Sequence, residues 1–154
     1  MITLKFVVLD SYALNPGDLS WEWLKKLGEC EIYVRTPADK ILERCMGADV
    51  VITNKTPITK DTLSKLSNLK YIALESTGYN VVDCEYAKEM GVPVSNIPSY
   101  STNAVAQLTF SLILEITNAV GIHSESVRNV DWANCPHFCY WKTTLTERCG
   151  KTLG

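Results

Sequence analysis

Short apolar runs alternate along the chain with stretches in which apolar residues recur every three or four positions. Residues 4–9, 49–53 and 71–74 are near-continuous apolar runs of strand length, the pattern of strands covered on both faces. Residues 31–34 and 92–95 are shorter and less apolar versions of the same signal. Between them lie helix-like stretches. Asn15 and Pro16 predict an N-cap and first-turn proline for a helix carrying Leu19, Trp23, Leu24 and Leu27, closed by Gly28. Thr36-Pro37-Ala38-Asp39 predicts a capping box ahead of Ile41, Leu42 and Cys45, with Gly47 ending that helix. Thr59 predicts a cap for a short helix facing Leu63 and Leu66 inward, and Asp83 one for a helix through Tyr86, Ala87 and Met90 that Gly91 closes. Pro93 cannot donate to a ladder, which puts the fifth strand at a sheet edge. Strands alternating with helices predict an α/β fold: a flavodoxin-like, doubly wound parallel sheet with right-handed crossovers.

Beyond Pro98 the pattern changes. Several candidate caps, Tyr100-Ser101-Thr102-Asn103, precede a long helix from Ala104 that is apolar on most of its circumference and therefore needs cover on nearly all sides. From 124 to 148 periodicity is lost, while Trp132, Phe138, Tyr140 and Trp141 crowd the segment. Such a segment reads as an arm that packs on a partner. Gly150-Lys151-Thr152-Leu153-Gly154 reads as a turn entering a further strand. The expected division is residues 1–99 as one domain and 100–154 as helix, arm and the start of another.

Composition narrows the function classes. With 154 residues, a net charge of -2 and 46% hydrophobic residues, the chain suits a globular domain with a substantial core. Its lysines and arginines are dispersed, which argues against nucleic-acid binding. Residues 1–9 show no basic segment leading into a long apolar core, so no secretory signal is expected and the expected location is the cytoplasm. The apolar stretch 104–120 is interrupted by Gln107, Thr109, Ser111, Glu115, Thr117 and Asn118, so no membrane span is expected. The six cysteines lack the density of a disulfide scaffold, and Cys135, His137 and Cys139 match no zinc spacing, so free thiols and no metal are expected.

A parallel sheet brings the carboxyl ends of its strands to one rim, where ligands settle. That rim gathers Asp10-Ser11, Asn54-Lys55 and Ser76-Thr77-Gly78. Gly78 lets the backbone approach an anion through positive φ and the missing Cβ. Lys55 beside backbone donors at Thr77 and Gly78 suits a small carboxylate. A receiver-type signalling domain of similar size needs a phosphoacceptor aspartate after the third strand, where Asn54 and Lys55 stand, and an acidic pair where only Asp10 stands. Hydride transfer needs a placed proton donor, and neither His123 nor His137 is placed for it. No G-x-G-x-x-G occurs in the sequence.

Three motifs in order, Thr53-Asn54-Lys55-Thr56-Pro57-Ile58, Ser76-Thr77-Gly78-Tyr79-Asn80-Val81-Val82-Asp83 and Gly91-Val92-Pro93-Val94-Ser95-Asn96-Ile97-Pro98, resemble the D-isomer-specific 2-hydroxyacid dehydrogenases, and among them the glycerate dehydrogenase (hydroxypyruvate reductase) branch. The resemblance runs nearly end to end and continues through Tyr100-Ser101-Thr102-Asn103-Ala104-Val105-Ala106-Gln107. It implies the front part of a two-domain enzyme that interconverts a D-2-hydroxy acid and a 2-oxo acid with NAD or NADP. It implies that Asn54, Lys55, Ser76, Thr77 and Gly78 line the substrate side, and that Val105 and Thr109 lie near the nicotinamide. It implies a homodimer through the long helix and aromatic arm, and a catalytic arginine, glutamate and histidine beyond Gly154, so no catalytic residue is assigned here. Leu108 departs from the histidine that the family often carries. The alternative is a non-enzymatic module that binds a small acid or a protein partner.

Overall fold

The computed structural model describes residues 3–152, in two compact units that divide after Tyr100. In the first unit five strands, β1 Leu4–Val8, β2 Gly28–Ile32, β3 Val50–Thr53, β4 Tyr71–Leu74 and β5 Val94–Ser95, form one sheet in the order β2-β1-β3-β4-β5. Every pairing is parallel. This is the flavodoxin-like strand order, and β5 lies at the edge, where Pro93 accepts from Ile72 N–H through its carbonyl and owes the ladder no donor. Alternate residues fill two cores, because a strand sends successive side chains to opposite faces. Val7, Leu9, Val51, Ile72 and Leu74 pack with Ile41, Cys45, Leu63 and Ala87 on one side. Phe6, Val8, Val50 and Ile52 pack with Leu24 on the other.

The helices of this unit are short: α1 Glu22–Lys25, α2 Ile41–Cys45, α3 Lys60–Leu63 and α4 Cys84–Glu89. Asp83 caps α4 as expected, its carboxylate accepting from Tyr86 N–H at 3.0 Å. Other expectations fail for local reasons. No helix starts at Asn15, because its side chain closes a turn instead, Oδ1 accepting from Gly17 and Leu19 N–H and Nδ2 donating to the Leu19 carbonyl. Leu19, Trp23 and Leu27 are consequently exposed, and Gly28 opens β2 rather than closing a helix. Thr36 is no helix cap: its hydroxyl donates to the Leu9 carbonyl at 2.6 Å, tying the segment after β2 to the end of β1. The second strand runs 28–32, and Val34 is exposed.

The second unit holds α5 Thr102–Asn118 and α6 Val120–Arg128, bent by 62° at Ala119, whose φ of 47° is left-handed. Residues 120–128 thus hold a helix that the apolar periodicity did not reveal. No residue of α5 is buried, and Ile116 is 82% exposed, so its own unit does not supply, among the described residues, the cover its apolar circumference demands. The aromatic segment is tied to its own unit. Tyr140 and Ser126 share a 2.7 Å hydrogen bond between hydroxyls, Trp132 Nε1 donates to the Phe138 carbonyl, Lys142 pairs with Asp131, and Arg148 Nη1 donates to Thr117 Oγ1. Phe138 and Trp141 nevertheless stay exposed. Of the expected strand entry at 150–154, Leu153 and Gly154 lie outside the described residues. No single helix among the described residues is long and apolar enough to cross a membrane. The six cysteines are free thiols.

Candidate functional site

The loops after β3 and β4 leave the same edge of the sheet, since their strands are adjacent and parallel. They are then stitched together. Ile58 and Val82 form a parallel bridge, Ile58 N–H donates to the Val81 carbonyl at 2.8 Å, and Asp83 N–H donates to the Ile58 carbonyl at 3.0 Å. Asn54-Lys55 and Ser76-Thr77-Gly78 therefore lie on adjoining loops.

Asp10 organises the first loop. Its carboxylate accepts backbone N–H from Asn54, Lys55 and Thr56, which makes it the support of that loop rather than a ligand contact. Thr53 Oγ1 adds a hydrogen bond to the Thr56 carbonyl. Lys55 projects outward, exposed, with no ion pair or hydrogen bond from its ammonium to any described residue. In the second loop the side chains are committed internally. Ser76 Oγ donates to the Gly78 carbonyl at 2.7 Å, and Thr77 Oγ1 donates to the Ile97 carbonyl. Asn96 Nδ2 donates to the Thr77 carbonyl, and Ile97 N–H to that of Ser76. The backbone donors are different: among the described residues neither Thr77 N–H nor Gly78 N–H has an acceptor.

Gly78 does not adopt the expected positive φ. What its missing side chain provides is open space, since a Cβ there would meet only Asn80 Oδ1, at 3.3 Å. One loop thus presents an exposed ammonium and the adjoining loop two unpaired amides.

The sequence reading passed over Glu75, between β4 and this turn. Burial first, and then the negative charge of Asp10, push its carboxyl up to about 7. The available signal was an acid continuing an apolar run without a break. Because the folded carboxyl holds its proton more tightly than an ordinary glutamate, the folded state binds more protons between about pH 4.5 and 7. Stability should therefore fall as pH rises through that window, by up to about 3 kcal/mol. Chemical denaturation at a series of pH values is expected to show this decline, and Glu75→Gln to flatten it.

Val105 and Thr109 lie in the second unit, on the first turns of α5, where Thr109 Oγ1 donates back to the Val105 carbonyl at 2.8 Å. Leu108 beside them is exposed. His123 is occupied structurally, with Nδ1 at 2.8 Å from the Ala119 carbonyl and Nε2 accepting from Lys142 N–H. His137 is exposed. Among the described residues no group of three or more His, Cys, Asp or Glu side chains is arranged to hold a metal.

Comparison with known proteins matches residues 7–148 to the model of the D-isomer specific 2-hydroxyacid dehydrogenase catalytic domain. A hydroxypyruvate reductase of Blautia hydrogenotrophica is 45% identical over 98% of this chain and 48% of its own length. A glycerate dehydrogenase of Methylorubrum extorquens is 35% identical over 99% of this chain and again 48% of its own. The chain thus spans about half the length of the curated relatives it matches. Among solved structures, an acyclic imino acid reductase in complex with NADPH and D-Arg superposes with a TM-score of 0.70 at 28% identity, covering 88% of this chain and 43% of that one. A glyoxylate reductase from Paecilomyes thermophila shares the fold, with a TM-score of 0.69 at 21% identity over 96% of this chain and 46% of its own.

Proposed function

The chain belongs to the D-isomer specific 2-hydroxyacid dehydrogenase family, and from that premise we propose that its first unit is the substrate-binding part of a glycerate dehydrogenase or hydroxypyruvate reductase-like enzyme. The observation that carries this reading is the pair of unpaired amides at Thr77 and Gly78 on a loop bridged to the one bearing the exposed Lys55. In this reading the two N–H groups and the Lys55 ammonium hold the carboxylate of a small 2-oxo acid. Asn54 and the Ser76 turn shape the wall beside it. The family chemistry is hydride exchange between such an acid and a nicotinamide dinucleotide, which the bound cofactor supplies.

The described residues do not by themselves fit that dinucleotide. No glycine-rich fingerprint occurs in the sequence, and the Thr109 hydroxyl is turned into its own helix. We therefore assign the chain the acid-binding role and no step of hydride transfer; Val105 and the methyl group of Thr109 on α5 would offer the nicotinamide apolar contact only. Phe110 and Ile116 on α5, with Phe138 and Trp141 in the arm, form the apolar surface through which two copies pair. Light scattering is expected to find a dimer or larger species, and a monodisperse monomer would remove this part of the reading.

The acid-binding role is tested by calorimetric titration of the 154-residue chain with hydroxypyruvate. Lys55→Met removes the charge but keeps the length, and is expected to weaken binding about ten- to a hundredfold, as loss of a charge-assisted hydrogen bond worth ~1.5–3 kcal/mol requires. Unchanged affinity would refute the assignment of Lys55. In the same solution NADH absorbance is expected to stay constant, and turnover would contradict the division of roles.

A further inference from the structure

Two buried acceptors in the first unit have no hydrogen-bond partner: Asn54 Oδ1 and Glu75 Oε2. Both sit at the carboxyl end of the sheet. The last registered pair of β3 and β4 is Thr53 with Leu74, and Glu75 N–H donates to the Thr53 carbonyl at 3.0 Å, carrying the ladder one step further. Asn54 and Glu75 are thus neighbours in register, and registered residues of adjacent parallel strands leave the sheet on the same face, about 4.8 Å apart.

Nothing else nearby satisfies them. The Thr53 hydroxyl donates to the Thr56 carbonyl, and the Ser76 hydroxyl to that of Gly78. Asn54 is only 7% exposed, and its backbone is pinned by Asp10, so its amide group can turn over but the residue cannot leave. Its Nδ2 has no partner among the described residues and, unlike Oδ1, is not buried, so it meets solvent. Two orphaned acceptors on neighbouring positions of one face are unfavourable unless one of them carries a proton or the amide reverses. A carboxyl group and a carboxamide offer both solutions.

We propose that Asn54 and Glu75 form one proton-carrying pair at the acid site, in which the protonation state of Glu75 sets which end of the Asn54 amide faces the ligand. With the carboxyl protonated, its O–H donates to Asn54 Oδ1 and the amide N–H groups face the crevice. With the proton gone, the amide reverses, its N–H donates to the carboxylate, and Oδ1 faces outward. An anionic acid is welcomed by the first arrangement and repelled by the second. Binding of the acid therefore draws a proton onto Glu75, and the pair selects for anions as pH falls. Asp10, at the end of β1, is the one charged group among the described residues whose field acts on Glu75, and it favours the protonated form. This inference rests on the reading of the rim as a carboxylate site.

The test begins without ligand, on the intact chain labelled with 13C and 15N. The Glu75 carboxyl carbon and the Asn54 side-chain amide are expected to titrate together, with one midpoint near about pH 7. An Asn54 amide that stays still while Glu75 titrates, or a Glu75 midpoint at the usual glutamate value, overturns the pair, and no variant is needed to see either. Hydroxypyruvate binding is then measured at about pH 6 and about pH 8. A pair that binds anions only when protonated gives about a tenfold weakening across that range. Glu75→Gln, whose amide donates to Asn54 Oδ1 at every pH, is expected to bind equally at both. Equal binding by the unsubstituted chain overturns the coupling. Absence of binding at both pH values defeats the carboxylate-site reading instead, leaving the pair to be judged on its resonances.

Discussion

Asp10→Ala is expected to remove about 2–4 kcal/mol of stability and to abolish acid binding together with it. The side chain is buried, and its carboxylate is the acceptor for three consecutive backbone N–H groups, those of Asn54, Lys55 and Thr56. Each donor left buried without a partner costs about 1–3 kcal/mol. Asn54 N–H is buried and loses its acceptor, whereas Thr56 N–H keeps the Thr53 hydroxyl at 3.1 Å and the amide of exposed Lys55 can recover a bond to water, so the sum stays well below the maximum. Against a typical domain stability of about 5–15 kcal/mol, that loss brings the fold close to its threshold. Urea unfolding followed by the fluorescence of Trp21 and Trp23 measures it. Asp10→Asn keeps one carbonyl acceptor and is expected to lose about half as much. Removing the charge also removes part of the pressure that holds the Glu75 proton, so the Glu75 midpoint should fall in Asp10→Asn. A variant as stable as the parent would show that the loop after β3 holds itself up.

The same residue marks what the sequence made legible and what it did not. Apolar runs between turn residues marked β1, β3, β4 and β5, with β4 at its observed bounds, because a covered strand needs uninterrupted apolar residues whatever surrounds it, whereas the less apolar β2 overlaps the expected 31–34 only at residues 31–32. The polar corners were legible for the same reason, since each run ends where the rim begins. Their division of labour was not. Asp10 and Lys55 both looked like rim residues, and only the fold shows one carboxylate turned inward beneath the loop that presents the other's ammonium. Helices were misread where a side chain competes with the backbone, as at Asn15, or where apolar residues are few, as in α6. Glu75 stayed hidden because a single acid after an apolar run carries no periodic signal. Its meaning comes from the register that sets it beside Asn54.

Gly28→Ala is expected to destabilise the chain by about 2–4 kcal/mol, although both its neighbours in sequence and its spacing suggest a tolerant helix terminator. Gly28 is paired with Leu4 at the start of the β1–β2 ladder, and a Cβ built on it would overlap the Leu4 carbonyl oxygen and lie 3.0 Å from Phe6 Cε2. The obstructing atom is backbone, so no rotamer change relieves the overlap and the strands must separate at this end. Overpacking of this kind costs about 1–3 kcal/mol where side chains can yield, and more where they cannot. Gly47 supplies the contrast. Its φ of 76° is left-handed and nothing lies within 4 Å of a Cβ there, so Gly47→Ala meets only the conformational penalty of about 1–2 kcal/mol. Sequence patterning treats the two glycines alike, as residues that end helices. The structure separates them: one is required for its conformation, the other for its lack of volume. Parallel denaturation of the two variants decides the matter. A smaller loss for Gly28→Ala than for Gly47→Ala would mean that β2 does not approach β1 as closely as the ladder at Leu4 requires.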